Sequence, residues 1–392
     1  MPLVLRNVLV RLVEWRAHAF SDPADRLQFL QRNLSDTPAS RGRLRRAMEH
    51  TPVMAITFAM VLAGSAILTS GRHALGITAK ANSRPIVAKR KTADISFQAG
   101  TVPRVWLVQS NPQFDLYSNG LRVENQYATT GQTRRYLPLV RTTGSAGGWR
   151  TDPAGIVFHT TESHMAPFEE GQNQVLRRAG EGLLAYVQRR RAYHFVIDRF
   201  GRVFRVVRES DCANHAGNSV WADRSWVYVY LNRSFLGVAF EAQSGAHGAE
   251  PPVNAAQIHA ARILTEMLRS RYSIPAENCV THAQVSVNPD NGRAGYHTDW
   301  ASGLPFRELG LGDNYSESLA SVRLFGFRGD SLLAEAQGDG VARGVEAAEE
   351  QLHTAAAARG LPVDRYRQRL QRDYRDTIRA LRDRSAPEEY NE

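Results

Sequence analysis

Apolar residues along the chain fall into three kinds of pattern. Short unbroken runs, Gly155-Ile156-Val157-Phe158 and Leu236-Gly237-Val238-Ala239-Phe240, predict strands buried on both faces. Residues 193–198 and 202–207 are strand-like and flank Arg199-Phe200-Gly201, which predicts a hairpin. From Asn254 to Arg271 the residues Ile258, Ala261, Ile263, Leu264, Met267 and Leu268 share one helical face, and Pro275 follows the helix. Alternation of such elements over 150–312 implies an α/β domain, a mixed central β-sheet flanked by helices. A β-rich lead-in over 101–149 precedes it, with a strand at Val105-Trp106-Leu107-Val108 and a hairpin around Ser118-Asn119-Gly120. Over 313–392 the composition shifts to Ala, Arg and Glu. There Val341, Val345, Ala348 and Leu352 mark one helix and Val363, Tyr366, Leu370, Tyr374, Ile378 and Leu381 a second, so a helical hairpin is expected.

The third pattern is a long one. No charge occurs from Thr51 to Gly71, and this stretch is apolar and just long enough to cross a bilayer. Basic residues at both ends weaken the alternative of a buried core helix, and the preceding fifty residues are too long for the n-region of an ordinary signal peptide. A single-pass transmembrane anchor over 51–71 is therefore expected. Residues 1–50 form a basic segment before it, with Leu5, Val8, Leu12 and Trp15 at helical spacing, and 72–100 a polar linker after it. Lys and Arg crowd both flanks, so charge does not decide the orientation.

Composition changes this picture little. A chain of 392 residues with a net charge of +10 has ample material for a core and calls for an anionic partner such as wall polymer, lipid or nucleic acid. Much of the excess flanks the apolar stretch and is not interleaved with aromatics, which argues against a nucleic-acid partner. The two cysteines, Cys212 and Cys279, each stand three residues before a histidine. They read as buried thiols or a single bridge, with a Cys2His2 metal site as the alternative.

Candidate chemistry gathers in three places. His159 ends the first buried run, His282 follows Thr281, and His297-Thr298-Asp299-Trp300 comes shortly after. Two imidazoles and a carboxylate with one open position are the donor set of a catalytic zinc site; a structural site closes all four positions.

The segment 150–312 resembles the zinc-dependent N-acetylmuramoyl-L-alanine amidases of the type-2 family, which includes peptidoglycan recognition proteins. Five motifs carry the resemblance in order: Ile156-Val157-Phe158-His159-Thr160-Thr161, the 193–201 strand and turn, Asn214-His215-Ala216-Gly217, Leu236-Gly237-Val238-Ala239-Phe240, and Thr281-His282 with His297-Thr298-Asp299. The resemblance implies zinc on His159, His282 and Asp299, and cleavage of the amide between N-acetylmuramic acid and L-alanine in peptidoglycan or muropeptides. It further implies catalytic roles for Tyr193 and for His297, which stands where family members carry lysine or threonine. Glu241, two residues beyond Ala239 on the same strand face, is a second candidate base. His215 and Thr160 are the candidate substrate contacts. The expected protein is a membrane-anchored hydrolase whose catalytic domain is periplasmic or otherwise extracytoplasmic. The alternative is a non-catalytic peptidoglycan-binding protein of the same fold.

Overall fold

The computed structural model describes residues 102–163, 165–244, 253–329 and 339–385. The expected anchor over 51–71 and the segments on either side of it lie outside the described residues. Among the described residues no helix is long and apolar enough to cross a membrane.

Eight strands form the central sheet: β1 Leu107–Ser110, β2 Phe114–Tyr117, β3 Arg122–Glu124, β4 Gly155–Thr160, β5 Phe195–Ile197, β6 Val203–Arg205, β7 Phe235–Phe240 and β8 Cys279–Thr281. Their order is β1-β2-β3-β6-β5-β7-β4-β8. The fully buried strands β7, β4 and β8 run parallel, whereas β5 and β6 make the antiparallel hairpin expected around Arg199-Phe200-Gly201. The lead-in strands extend the same sheet, because β3 pairs in parallel with β6.

Strand periodicity divides the side chains between two faces. Ile156, Phe158, Phe195, Ile197, Leu236, Val238 and Phe240 pack against Ala260, Ala261, Leu264, Met267 and Leu268 of a long helix. On the other face Val196, Phe204 and Ala239 meet Leu184 and Val187. The helices concerned are α1 (Asn173–Arg190), on the second face, and α3 (Ala255–Tyr272), on the first; α2 is the single turn Leu231–Ser234 before β7. Helix α3 starts where its sequence says it should. Asn254 Oδ1 accepts from the Gln257 amide (3.0 Å) while Gln257 Oε1 accepts from the Asn254 amide (3.2 Å), a reciprocal cap worth about 1 kcal/mol.

A short helix α4 (His282–Val285) follows β8 directly, and α5 (Ala320–Phe325) leads to the C-terminal pair α6 (Asp339–Ala357) and α7 (Val363–Ser385). The pair packs on the domain. Val341 and Ala348 of α6 join the main core, the Val341 amide donates to the Ala301 carbonyl (2.8 Å), and the Leu319 amide donates to the Gly344 carbonyl (3.1 Å). Tyr374 of α7 sits between Phe325 and Phe327. The insert around Trp221 is a hairpin, Val220–Ala222 with Trp226–Val229. Trp221 Nε1 donates to Asn278 Oδ1, at the start of β8, so this hairpin is tied to the end of the sheet away from His159.

Candidate metal centre and active site

Register places the two histidines side by side. Phe158 of β4 is paired with Thr281 of β8, so the next residues, His159 and His282, emerge together where both strands end. Thr281 also caps α4 with a capping box to Gln284, which fixes the first helical residue, His282. Asp299 reaches them from the loop that follows. Its main-chain carbonyl accepts from the Ala283 amide (3.2 Å), and the next residue, Trp300, is buried with its ring against Phe240.

Asp299 Oδ1 lies 2.8 Å from His282 Nδ1 and Oδ2 lies 3.0 Å from His159 Nδ1. One donor atom from each of the three residues lies within 4.8 Å of the others, and all three side chains are buried. Burial and the neighbouring His282 pull His159 down to about 4, so this imidazole is neutral at pH 7. Burial alone would push Asp299 up, but His282 and His159 outweigh it and hold the carboxyl well below the usual carboxylate range. A neutral imidazole and a firmly ionised carboxylate are the protonation states a metal requires of its ligands. Both Nδ1 atoms face the carboxylate, so a cation held between them would meet three donor atoms. The donor set therefore fits zinc.

Behind His159 stands His215. Its Nδ1 is 3.1 Å from His159 Nε2 and its Nε2 is 3.3 Å from the Phe235 carbonyl. These contacts are satisfied together when His159 carries its proton on Nε2 and donates it to His215, leaving His159 Nδ1 for a metal. The ring lies directly over Gly237, where an added Cβ would fall 2.6 Å from His215 Cγ. The loop is pinned as well: Asn232 Oδ1 accepts from the amides of His215 (2.9 Å) and Ala216 (2.6 Å).

The family profile of N-acetylmuramoyl-L-alanine amidases matches residues 149–299, the span that supplies all three members of this cluster. Over that span the chain is similar to the type-2 amidases. No curated protein matches the sequence. Solved structures that are similar include AmpDh3 from Pseudomonas aeruginosa in complex with an anhydromuramic pentapeptide, at 23% identity and a TM-score of 0.29 over 40% of this chain and 58% of that one. The amidase AmiD from E. coli, in complex with anhydro-N-acetylmuramic acid-L-Ala-D-γ-Glu-L-Lys, is 18% identical with a TM-score of 0.31 over 51% of this chain and 65% of that one. Drosophila peptidoglycan recognition protein SD is 18% identical with a TM-score of 0.25 over 41% and 85%. The chain thus spans well under two thirds of AmpDh3.

The remaining candidates of the amidase domain separate into those at the cluster and those turned from it. The Tyr193 ring is 5.1 Å from that of His159 and its backbone is left-handed (φ 62°), a conformation costly for a bulky residue and found mostly where function demands it. Burial and then the Asp299 charge push its phenol up, so the hydroxyl stays protonated. His297 stacks on His282 with centroids 4.2 Å apart and planes 16° apart, its outer side exposed. Its inner face is desolvated, and that together with His282 pulls its pKa down, so it too is neutral. Glu241 lies elsewhere. Its carboxylate accepts from the Arg199 amide (3.2 Å) and faces Gly180 of α1, and none of its hydrogen bonds among the described residues goes to the cluster. Thr160 follows His159 and so takes the opposite face; its hydroxyl donates to Glu162 Oε1 (2.5 Å), which also accepts from the Ser244 amide and hydroxyl. His215 is a partner of a candidate ligand, 9% exposed, placed beneath the cluster. Both cysteines are free thiols, without the bridge that the sequence left open. His164 lies outside the described residues.

Proposed function

We propose that this domain is a zinc-dependent N-acetylmuramoyl-L-alanine amidase that acts on peptidoglycan or on muropeptides derived from it. One observation carries the reading: the Nδ1 atoms of His159 and His282 and the Asp299 carboxylate converge at the end of β4, within the segment that the family profile matches. Zinc held there would supply a water activated near neutral pH and a Lewis acid for the scissile carbonyl.

The chain's own groups do the rest. His215 holds the His159 ring by accepting from Nε2. The Tyr193 hydroxyl, protonated beside the cluster, is a donor for the attacking water or the substrate carbonyl. The neutral His297 offers an oxyanion a hydrogen bond where lysine would offer a full charge, with its exposed side toward incoming substrate. Glu241 is assigned no base role, since its carboxylate caps the turn at Arg199.

The uncharged stretch 51–71 supports an anchored protein, and the substrate class supports a domain on the wall side of the membrane. A C-terminal alkaline phosphatase fusion reports that location by its activity. The function is tested by metal analysis and by digestion of purified sacculi. Wild type is expected to hold about one zinc per chain and to release free L-alanine amino termini, and His282→Ala to do neither. Binding of sacculi by a zinc-free wild type with no new termini would refute the assignment in favour of a binding protein.

A further inference from the structure

Arg134 heads the fully buried large side chains at 0% exposure, and it comes from the lead-in, ahead of the family segment. Its guanidinium donates to four main-chain carbonyls: Nε to Glu209 (3.0 Å), Nη1 to Arg233 (2.8 Å) and Phe235 (3.3 Å), and Nη2 to Asp211 (2.8 Å). Among the described residues it forms no ion pair. Other buried arginines do: Arg205 with Asp115 and Glu209, and Arg367 with Glu349. An interior cation without a counter-ion costs several kcal/mol of desolvation, which only a complete set of hydrogen bonds can offset.

What those bonds organise is the underside of the metal centre. The Phe235 carbonyl that accepts from Arg134 also faces His215 Nε2. Arg134 Nη2 and His194 Nε2, 2.7 Å apart, both face the Asp211 carbonyl, and His194 Nδ1 accepts from the amide of Gly237, the residue over which the His215 ring lies. Arg134 therefore ties together the 209–211 turn, the 233–235 segment and, through His194, the floor of the His215 ring.

We infer that Arg134 is a positioning residue for the metal centre, fixing His215 and through it the orientation of His159. The carbonyl it holds requires a proton on His215 Nε2, so His215 Nδ1 must accept from His159 Nε2, and His159 Nδ1 is left to face the cation. The inference rests on the metal-site reading above and adds a determinant from outside the amidase segment.

The test uses the full-length chain. Zinc dissociation constants are measured by competition with a chromophoric chelator, melting temperatures alongside them, and histidine tautomers from imidazole nitrogen NMR spectra. Wild type is expected to bind zinc with His215 in the Nε2–H form. Arg134→Met is expected to weaken zinc binding about 10- to 100-fold, the usual effect of losing an outer-shell partner. Arg134→Lys, which keeps the buried charge but not the fork, should also weaken it, whereas Arg367→Met should lower the melting temperature and leave zinc affinity unchanged. Zinc affinity within about twofold of wild type in a folded Arg134 variant would overturn the inference, since outer-shell partners shift affinity by more than that. So would an Nδ1–H tautomer of His215 in the zinc-loaded wild-type protein, a result that needs no variant to fold. Failure of wild type to bind zinc at all is a separate outcome that removes the metal reading and this inference with it.

Discussion

Replacing Gly237 with alanine puts a methyl group where the His215 ring already lies. The new Cβ would sit 2.6 Å from Cγ and 2.9 Å from both Cβ and Nδ1 of His215, and an imidazole cannot flex away as a long side chain can. Restoring an ordinary contact of 3.4 Å requires the ring to lift by about 0.8 Å. The hydrogen bond to His159 is already 3.1 Å long, so a lift in that range takes it beyond bonding distance or turns the His159 ring with it. Overpacking of this kind costs about 1–3 kcal/mol. Leaving a buried imidazole nitrogen unpaired adds about 1–3 kcal/mol. Zinc affinity should fall about 10- to 100-fold, with His159 no longer held. The assay is zinc competition together with thermal melting of Gly237→Ala and of Gly237→Ala/His215→Ala. In the double variant the ring and its 2.6 Å contact are gone and only the 2.9 Å approach to the Cβ of residue 215 is left to relax, so the two changes should couple, the pair losing less stability than the sum of its parts. A Gly237→Ala protein with wild-type melting and zinc affinity would refute the reasoning, because the ring would then have room that these distances deny it.

Three further outcomes follow from the same geometry. In the metal-free protein His159 sits near 4 against an unfolded value of 6.5, so its contribution is fully present above about pH 6.5 and is lost as pH falls toward 4, by roughly 3 kcal/mol; denaturant titrations that show equal stability at pH 7.5 and pH 4.5 would contradict this. Tyr193→Phe keeps the ring beside His159 and removes the hydroxyl, so kcat should fall about a hundredfold with zinc affinity unchanged, and an unaltered kcat would strip Tyr193 of its role. Removing residues 339–385 uncovers the surface that Val341, Ala348 and Tyr374 bury, each large side chain worth about 1.5–3 kcal/mol, and withdraws support from the segment after Asp299; a truncated chain that stays soluble and hydrolyses sacculi would show that the hairpin is dispensable.

The strand that delivers His159 was legible because a fully buried strand is a continuous apolar run and His159 stands at the end of one, whereas β8, which delivers His282, is only three residues long and left no such run. Helix α3 was legible to the residue at its start, since Asn254 and Gln257 state their cap locally. The joining of the lead-in to the main sheet was not, because the pairing of β3 with β6 links segments far apart in sequence and leaves no local mark. Strand parity set Thr160 on the face away from His159, a signal present in the sequence, since neighbours on a strand point oppositely. For Glu241 the face was right and the distance along the strand was not: two residues past Ala239 it has run out to the Arg199 turn. Arg134 carried no signal at all, one cation among 49 lysines and arginines, and only its burial distinguishes it.

The lead-in strands have a consequence for how such a domain can travel between genes. A recombination event that copied residues 149–299 alone would leave β6 with a bare outer edge, an invitation to pair with other chains, and would strand four carbonyls that Arg134 now satisfies. The portable unit of this domain is longer than the span that the family profile matches, and it begins at or before the first lead-in strand.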